Sequence, residues 1–309
     1  MPRPSPRLTV AAAARQRIGK QLSQVLRRLK EAAAAAPDQP EPIHRLRVAT
    51  RRARAALELF RSILPGKQAD WFLKKLRKLR KAADRARNLD VFSRRIGEQS
   101  TEISEGVIRL LRRQRAAAQL PLVKLSRELV TDKRWQQKQS VLLRKITTGK
   151  SAATLGKEPL KGFAPQALAP LINEFMRSLS PPDRSAAQLH RLRVAGKKLR
   201  YGIELVEEAL PKRLCASVLA QLEKLQGVLG DLNDLATAAN LMDELLEETS
   251  KRSIRQWLKA QRKREREAFS EARAKFLRTW TERERQKWHN WFERVSPNGT
   301  ATRAAAPSE

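Results

Sequence analysis

Residues 43–65 read IHRLRVATRRARAALELFRSILP, and residues 189–211 read LHRLRVAGKKLRYGIELVEEALP. His44 and His190 stand 146 positions apart in a chain that has only three histidines. At that single offset, without a gap, His44-Arg45-Leu46-Arg47-Val48-Ala49 falls on His190-Arg191-Leu192-Arg193-Val194-Ala195. Arg54 meets Arg200, Glu58 meets Glu204, and Leu64-Pro65 meets Leu210-Pro211. The register carries into the next segment, where Leu73, Leu76, Lys78, Leu79 and Leu89 meet Leu219, Leu222, Lys224, Leu225 and Leu235. Leucine-rich helices match by chance at their leucines, but not at a histidine–arginine hexapeptide whose register survives an intervening proline. The reading is an internal duplication. It predicts two similar four-helix-type bundles packed about a pseudo-two-fold axis.

On a helix that turns roughly 100° per residue, Arg47, Arg51 and Arg54 fall within about 80° of His44. His190, Arg193, Lys197 and Arg200 repeat the pattern. Leu46, Ala53 and Leu57 lie on the opposite face, as do Leu192, Leu199 and Ile203. Each helix therefore has an apolar face for its bundle and a cationic stripe about 15 Å long. The acidic i,i+4 partners of the stripe, Glu58 and Glu204, come only at its end. Facing bundles would line one shared basic groove, which focuses its field on a polyanion. Arginine grips phosphate with a planar fork and lysine as a point charge. A bound polyphosphate would raise a histidine pKa, so His44 and His190 are expected to be pH-sensitive contacts. The following helix adds Lys75, Arg77, Lys78, Arg80, Lys81, Arg85 and Arg87 in the first half, whereas of the corresponding positions in the second half only Lys224 is basic. The first half is thus expected to carry more of the affinity. Secondary basic contacts are expected at Arg52, Lys78, Lys81, Arg87, Lys198 and Lys224.

The rest of the chain reads as all-α. Glycines number only 12, there is one tyrosine, and no sustained alternation or hairpin signal appears. Helices are predicted over 8–36, 41–64, 67–97, 100–131 and 134–146, then 164–180, 183–209, 211–228, 231–248 and 250–295. Pro37, Pro40, Pro65, Pro121, Pro181 and Pro211 sit at the joints. Leu229-Gly230-Asp231-Leu232-Asn233-Asp234-Leu235 reads as a tight junction with an Asp or Asn cap, and Ala83–Leu89 as its counterpart. The halves are placed at 8–146 and 164–296, with 147–163 as linker and 1–7 and 297–309 as flexible tails.

Lys and Arg total 65 against 32 Asp and Glu, a net charge of +33, so an anionic partner is expected to offset the self-repulsion. The single cysteine, Cys215, falls in a helical pattern and reads as a small core residue; it excludes an intrachain disulfide. No run of about 18 apolar residues appears, so no membrane span is expected. Arginines recur before Glu31, the first acidic residue, in the manner of a transit peptide. A basic first helix of the mature chain is the favoured reading. No GxxxxGK[ST] loop is present and no carboxylate pair repeats beside the stripe, so phosphoanhydride chemistry is not expected. No third histidine or carboxylate recurs at ligand spacing, so no metal, cofactor or catalytic residue is assigned. His289 has no counterpart and reads as incidental. Nonspecific DNA or RNA binding is the alternative function. Against it, single-strand binders stack bases on aromatics, and only Tyr201 borders a stripe.

The duplicated His-x-x-Arg-x-x-x-[Arg/Lys]-x-x-Arg helix, followed by a leucine-rich helix carrying LGDLND, resembles the CHAD domain, the conserved histidine α-helical domain. The resemblance covers about 8–296. It implies two four-helix bundles and binding of inorganic polyphosphate along a basic groove, without a catalytic step. Residue by residue, it carries the family's histidine to His44 and His190. Its basic contacts carry to Arg47, Arg51, Arg54, Arg193, Lys197 and Arg200. Where the family often has Arg-Asp after the second helix of the first half, this chain has Arg87-Asn88. Many relatives carry an N-terminal triphosphate-tunnel domain with an ExExK motif; here Glu282-Arg283-Glu284 lacks the lysine. A cytoplasmic location, in association with polyphosphate granules, is expected.

Overall fold

The computed structural model describes residues 8–97, 102–131, 133–148, 153–179 and 185–293, and among these every extended element is helical. The expected tails and Pro181 lie outside the described residues. In order, the helices are α1 (Val10–Ala34), α2 (Glu41–Leu59), α3 (Gly66–Gly97), α4 (Glu102–Ser126) and α5 (Arg134–Thr148). There follow α6 (Leu160–Leu179), α7 (Ala186–Val206), α8 (Lys212–Glu248), α9 (Arg252–Thr279) and α10 (Glu282–Glu293).

The two related sequence stretches fold alike. Helix α2 runs into a 3₁₀ turn at Arg61–Ile63 and then α3; α7 runs into a 3₁₀ turn at Glu207–Ala209 and then α8. The turns are offset by the same 146 positions as the histidines. Pro40 and Pro211 stand immediately before α2 and α8, where the missing N–H costs nothing. Helix α7 starts on a capping box, with Gln188 N donating to Ser185 Oγ and Ser185 N donating to Gln188 Oε1.

The apolar face assigned from the sequence is the core. Leu46, Ala53, Leu57, Leu192, Leu199 and Ile203 are all buried, in one cluster that runs through both halves. Helices α2 and α7 pack on each other across this core. A second cluster joins the far ends of the long helices. There Leu89, Phe92 and Ile96 of α3 meet Leu241, Met242 and Leu245 of α8, covered by α4 and α9. Salt bridges from Arg85 to Glu244 and from Arg95 to Glu265 (2.8 Å) tie the halves together at the same end.

Several predicted boundaries move. LGDLND is not a junction: α8 runs unbroken through Gly227 and Gly230 for 37 residues, about 55 Å. Its counterpart Ala83–Leu89 is likewise interior to α3. A helical glycine costs only about 1 kcal/mol against alanine. Leu222, Leu225, Leu229, Leu232 and Leu235 are all buried on one stripe, and that burial carries the helix through. Pro121 lies inside α4 rather than at a joint, and the helix relaxes into a π turn at Arg127–Thr131. The last predicted helix breaks at Trp280, whose N–H donates to Phe276 O (3.0 Å) and Leu277 O (3.3 Å). Glu284 N then donates to Thr281 Oγ1 to start α10.

Within the stretch expected as linker, α6 begins at Leu160 rather than 164, with Leu160 and Phe163 buried. Val10 N donates to Glu158 O and Leu160 N to Leu8 O, both at 2.9 Å, so the entry to α6 is held against the start of α1. Gly162 and Pro165 hid this apolar i,i+3 pair from a propensity reading.

Candidate functional site

Where α2 meets α7, a cleft of about 430 Å³ opens, lined by Arg47, Arg51, Arg54, His190, Arg193, Lys197 and Lys198 from the two stripes. Arg80 and Asp84 of α3 close one side. Leu59 of α2 with Ala167, Pro170 and Leu171 of α6 forms an apolar wall. Six of the eight primary candidates are thus brought together. His44 and Arg200 lie outside the lining, as do Arg52, Lys78, Lys81, Arg87 and Lys224 of the secondary set.

The charges in the cleft are not equivalent. Arg47 is salt-bridged to Asp84 and Arg54 to Glu58 (2.7 Å). Lys198 pairs with Glu174 at 2.7 Å. Arg200 turns away to Glu204 (2.9 Å) and Glu223 (3.5 Å), and Arg52 also reaches Glu204 (3.2 Å). The stripes are therefore less bare of acidic partners than i,i+4 spacing indicated, because the partners arrive from other helices. Among the described residues, Arg51, Arg80, Arg193 and Lys197 have no carboxylate partner. Arg51 Nε donates only to the Tyr201 hydroxyl at 3.4 Å. Arg193 Nε is buried with no partner at all.

The sequence offset accounts for the difference between Arg47 and its counterpart Arg193. Asp84, which holds Arg47, corresponds to Gly230, so α8 offers Arg193 no carboxylate at that place. Arg80 and Arg87 likewise correspond to Gln226 and Asn233. His190, exposed, donates from Nδ1 to Asn233 Oδ1 at 3.0 Å. His44, half-buried, has Arg87 at the corresponding position, and its pKa is held below the ordinary value by burial first and then by Arg87.

Crowded cations raise the cost of each further charge. Burial, then Arg51 and Arg87, push Arg47 down to about 10, still fully charged at neutral pH. Arg193 is lowered by burial, with Arg51 adding to it and Asp234 opposing. Lys197 responds most: burial, Arg193 and Arg51 push its ammonium down to about 7. A cleft in this condition favours an anion that restores the neutralised charge.

Sequence reasoning missed Arg80 as a contact and Asp84 as a competitor. Both lie on the lysine- and arginine-rich helix already singled out, but their side of it could not be chosen without the α2–α3 packing. The tryptophans at the two ends of α9 are packed against the interior, away from the cleft. Trp257 packs on the distal cluster, and Trp280 on the main core, stacked on Phe276. Cys215 is buried and its thiol is pushed up to about 11, by burial and then Glu207. Among the described residues no three His, Cys, Asp or Glu side chains are grouped for a metal ion, and no helix is long and apolar enough to cross a membrane. Larger open hollows of about 740 Å³ lie along α1 and α5, with Arg15 and Arg144 in their walls, away from both stripes.

A family model described as the CHAD domain matches residues 16–243. The fold is similar to a structure described as the CHAD domain from the plant Ricinus communis. The TM-score is 0.67 at 22% identity, over 87% of this chain and 91% of that one. It is also similar to PptA from Streptomyces chartreusis, with a TM-score of 0.57 at 17% identity, over 88% of this chain and 99% of the other. No curated protein matches the chain.

Proposed function

The chain belongs to the CHAD domain family, and from that premise we propose that it captures inorganic polyphosphate in the α2–α7 cleft, by electrostatics and without chemistry. The observation that carries the reading is the set Arg51, Arg80, Arg193 and Lys197. These cations come from three helices and two halves to one cleft, with no carboxylate partner among the described residues. Folding so many like charges together without counter-charges is unfavourable in the empty protein, and a polyanion reverses the sign of that energy. Inorganic polyphosphate suits the cleft better than nucleic acid. Tyr201 offers its hydroxyl to Arg51 and its ring face to Arg52, at 5.8 Å from the centroid, so no bare aromatic platform is left for a base. The carboxylates of the lining, Asp84 and Glu58, are engaged by Arg47 and Arg54, which supports holding rather than cleaving the polymer. A cytoplasmic place beside polyphosphate deposits goes with this reading.

Competition binding tests it. Long-chain polyphosphate and single-stranded RNA of matched charge are titrated across a salt series, against the wild type and a variant with Arg51, Arg80, Arg193 and Lys197 changed to Glu. Polyphosphate is expected to bind more tightly at every salt concentration, and the variant to lose it while keeping its helical circular dichroism. Equal binding of RNA, undiminished in the variant, would sink the assignment.

A further inference from the structure

Lys197 combines two properties that polyanion capture alone does not need. It stands one turn after Arg193 and one turn before Tyr201 on α7, in the wall of the cleft. Its amine has no carboxylate partner among the described residues, whereas its neighbour Lys198 is paired with Glu174 at 2.7 Å. The charges acting on Lys197 are Arg193 of its own helix, Arg51 and Arg47 of α2, and, opposing them, Asp234 of α8. An amine that is half-buried beside other cations gives up its proton readily and becomes a nucleophile at neutral pH. Here the ammonium is pushed down to about 7, so a large share of it carries a free lone pair.

The cations that prepare this amine are also the ones proposed above to hold phosphate. A compound bearing a phosphate and an electrophilic carbon would be bound by the one and attacked by the other. Acyl phosphates have both groups, separated by a single oxygen. The apolar wall of Leu59, Pro170 and Leu171 gives an acyl chain somewhere to lie, and about 430 Å³ is ample for a small one.

We propose that Lys197 is a self-acylation site for small acyl phosphates, with the phosphate held by Arg193 and Arg51 and the acyl group delivered to Nζ. The inference rests on the reading of the cleft as a phosphate site. In the step, the Nζ lone pair forms the C–N bond to the acyl carbon. The bond from that carbon to the bridging oxygen breaks, and phosphate leaves with the electron pair. The proton lost from nitrogen ends on the departing phosphate, so amine and acyl phosphate give amide and hydrogen phosphate. The product lacks one cation of the cleft and fills part of it. Acylation therefore weakens polyanion binding, and couples it to the supply of acyl phosphate.

The test incubates the full chain with acetyl phosphate and follows each lysine by peptide mass spectrometry. Lys197 is expected to react at least ten times faster than Lys198, at a rate that saturates with acetyl phosphate and is slowed by tripolyphosphate. An acetylating ester without phosphate should show no saturation, and Arg193→Met should abolish the saturation while leaving the chain folded. Equal rates at Lys197 and Lys198 overturn the inference. So does tripolyphosphate that binds the chain but fails to protect Lys197, and this result leaves the polyphosphate reading standing. Failure of tripolyphosphate to bind overturns that reading instead. Saturable acetylation confined to Lys197 and inhibited by orthophosphate would then still support the inference.

Discussion

At the scale of single residues, the site is decided by which arginines already have a partner. Arg47 has Asp84, whereas for Arg193 the corresponding position on α8 is Gly230, which carries no carboxylate. A β-carbon built on Gly230 meets nothing within 4 Å, so Gly230→Asp fits without strain and should give Arg193 the partner that Arg47 has. It is expected to weaken tripolyphosphate binding about tenfold, roughly 1.4 kcal/mol, measured by isothermal titration calorimetry. Asp84→Ala should do the reverse, freeing Arg47 and tightening binding severalfold. Lys197 sets the pH dependence. Its pKa in the empty cleft is about 7, and an adjacent polyanion raises it, because opposite charge favours the charged form. Its contribution to binding is full below pH 7 and is lost as pH climbs toward the raised value in the complex. Affinity should fall between pH 7 and pH 9 with measurable proton uptake on binding, and Lys197→Arg should flatten the profile.

At the scale of helices, a buried polar link fixes where α1 ends against α3 and α4. Arg115 of α4 donates from Nε to Asp90 of α3 at 2.5 Å and from Nη1 to Gln119 at 2.7 Å. Gln119 Nε2 in turn donates to Ala32 O and Ala35 O, carbonyls that the C-terminus of α1 leaves without an intrahelical partner. Burial pushes the Asp90 carboxyl up, and the hydrogen bond and charge of Arg115 pull it back. Arg115→Leu removes the compensation and leaves a buried carboxylate, which typically costs about 3–5 kcal/mol. Urea denaturation should show that loss, and the double variant Asp90→Leu with Arg115→Leu should recover most of it. The sequence pattern gave no hint of this link, since its members lie on three helices.

At the scale of the whole molecule, a net charge of +33 acts on fold and ligand with opposite salt dependence. Screening relieves self-repulsion, so the free protein should melt at higher temperature as salt rises. The proposed polyphosphate binding should lose its counterion-release term over the same range. The gap in melting temperature between polyphosphate-bound and free protein should therefore close from both sides, as differential scanning calorimetry would record. A gap that does not change with salt would mean that the ligand is held by something other than charge.

The sequence by itself determined the helical class, the paired HRLRVA segments and the two basic stripes, because each is a periodic pattern that a single helix displays. Leu46, Leu57, Leu192 and Ile203 went to the core as their spacing required. Only the tertiary structure decided which charges stay free. Asp84 reaches Arg47 from α3, Glu174 reaches Lys198 from α6, and Arg80 enters the cleft, all through packing between helices distant in the chain. It also decided that α8 runs through its glycines, since burial of five leucines outweighs a local preference of about 1 kcal/mol per glycine. Local pattern fixes what a residue shows on its own helix; ion pairing and pKa depend on distances of a few ångströms between helices, which no local pattern encodes.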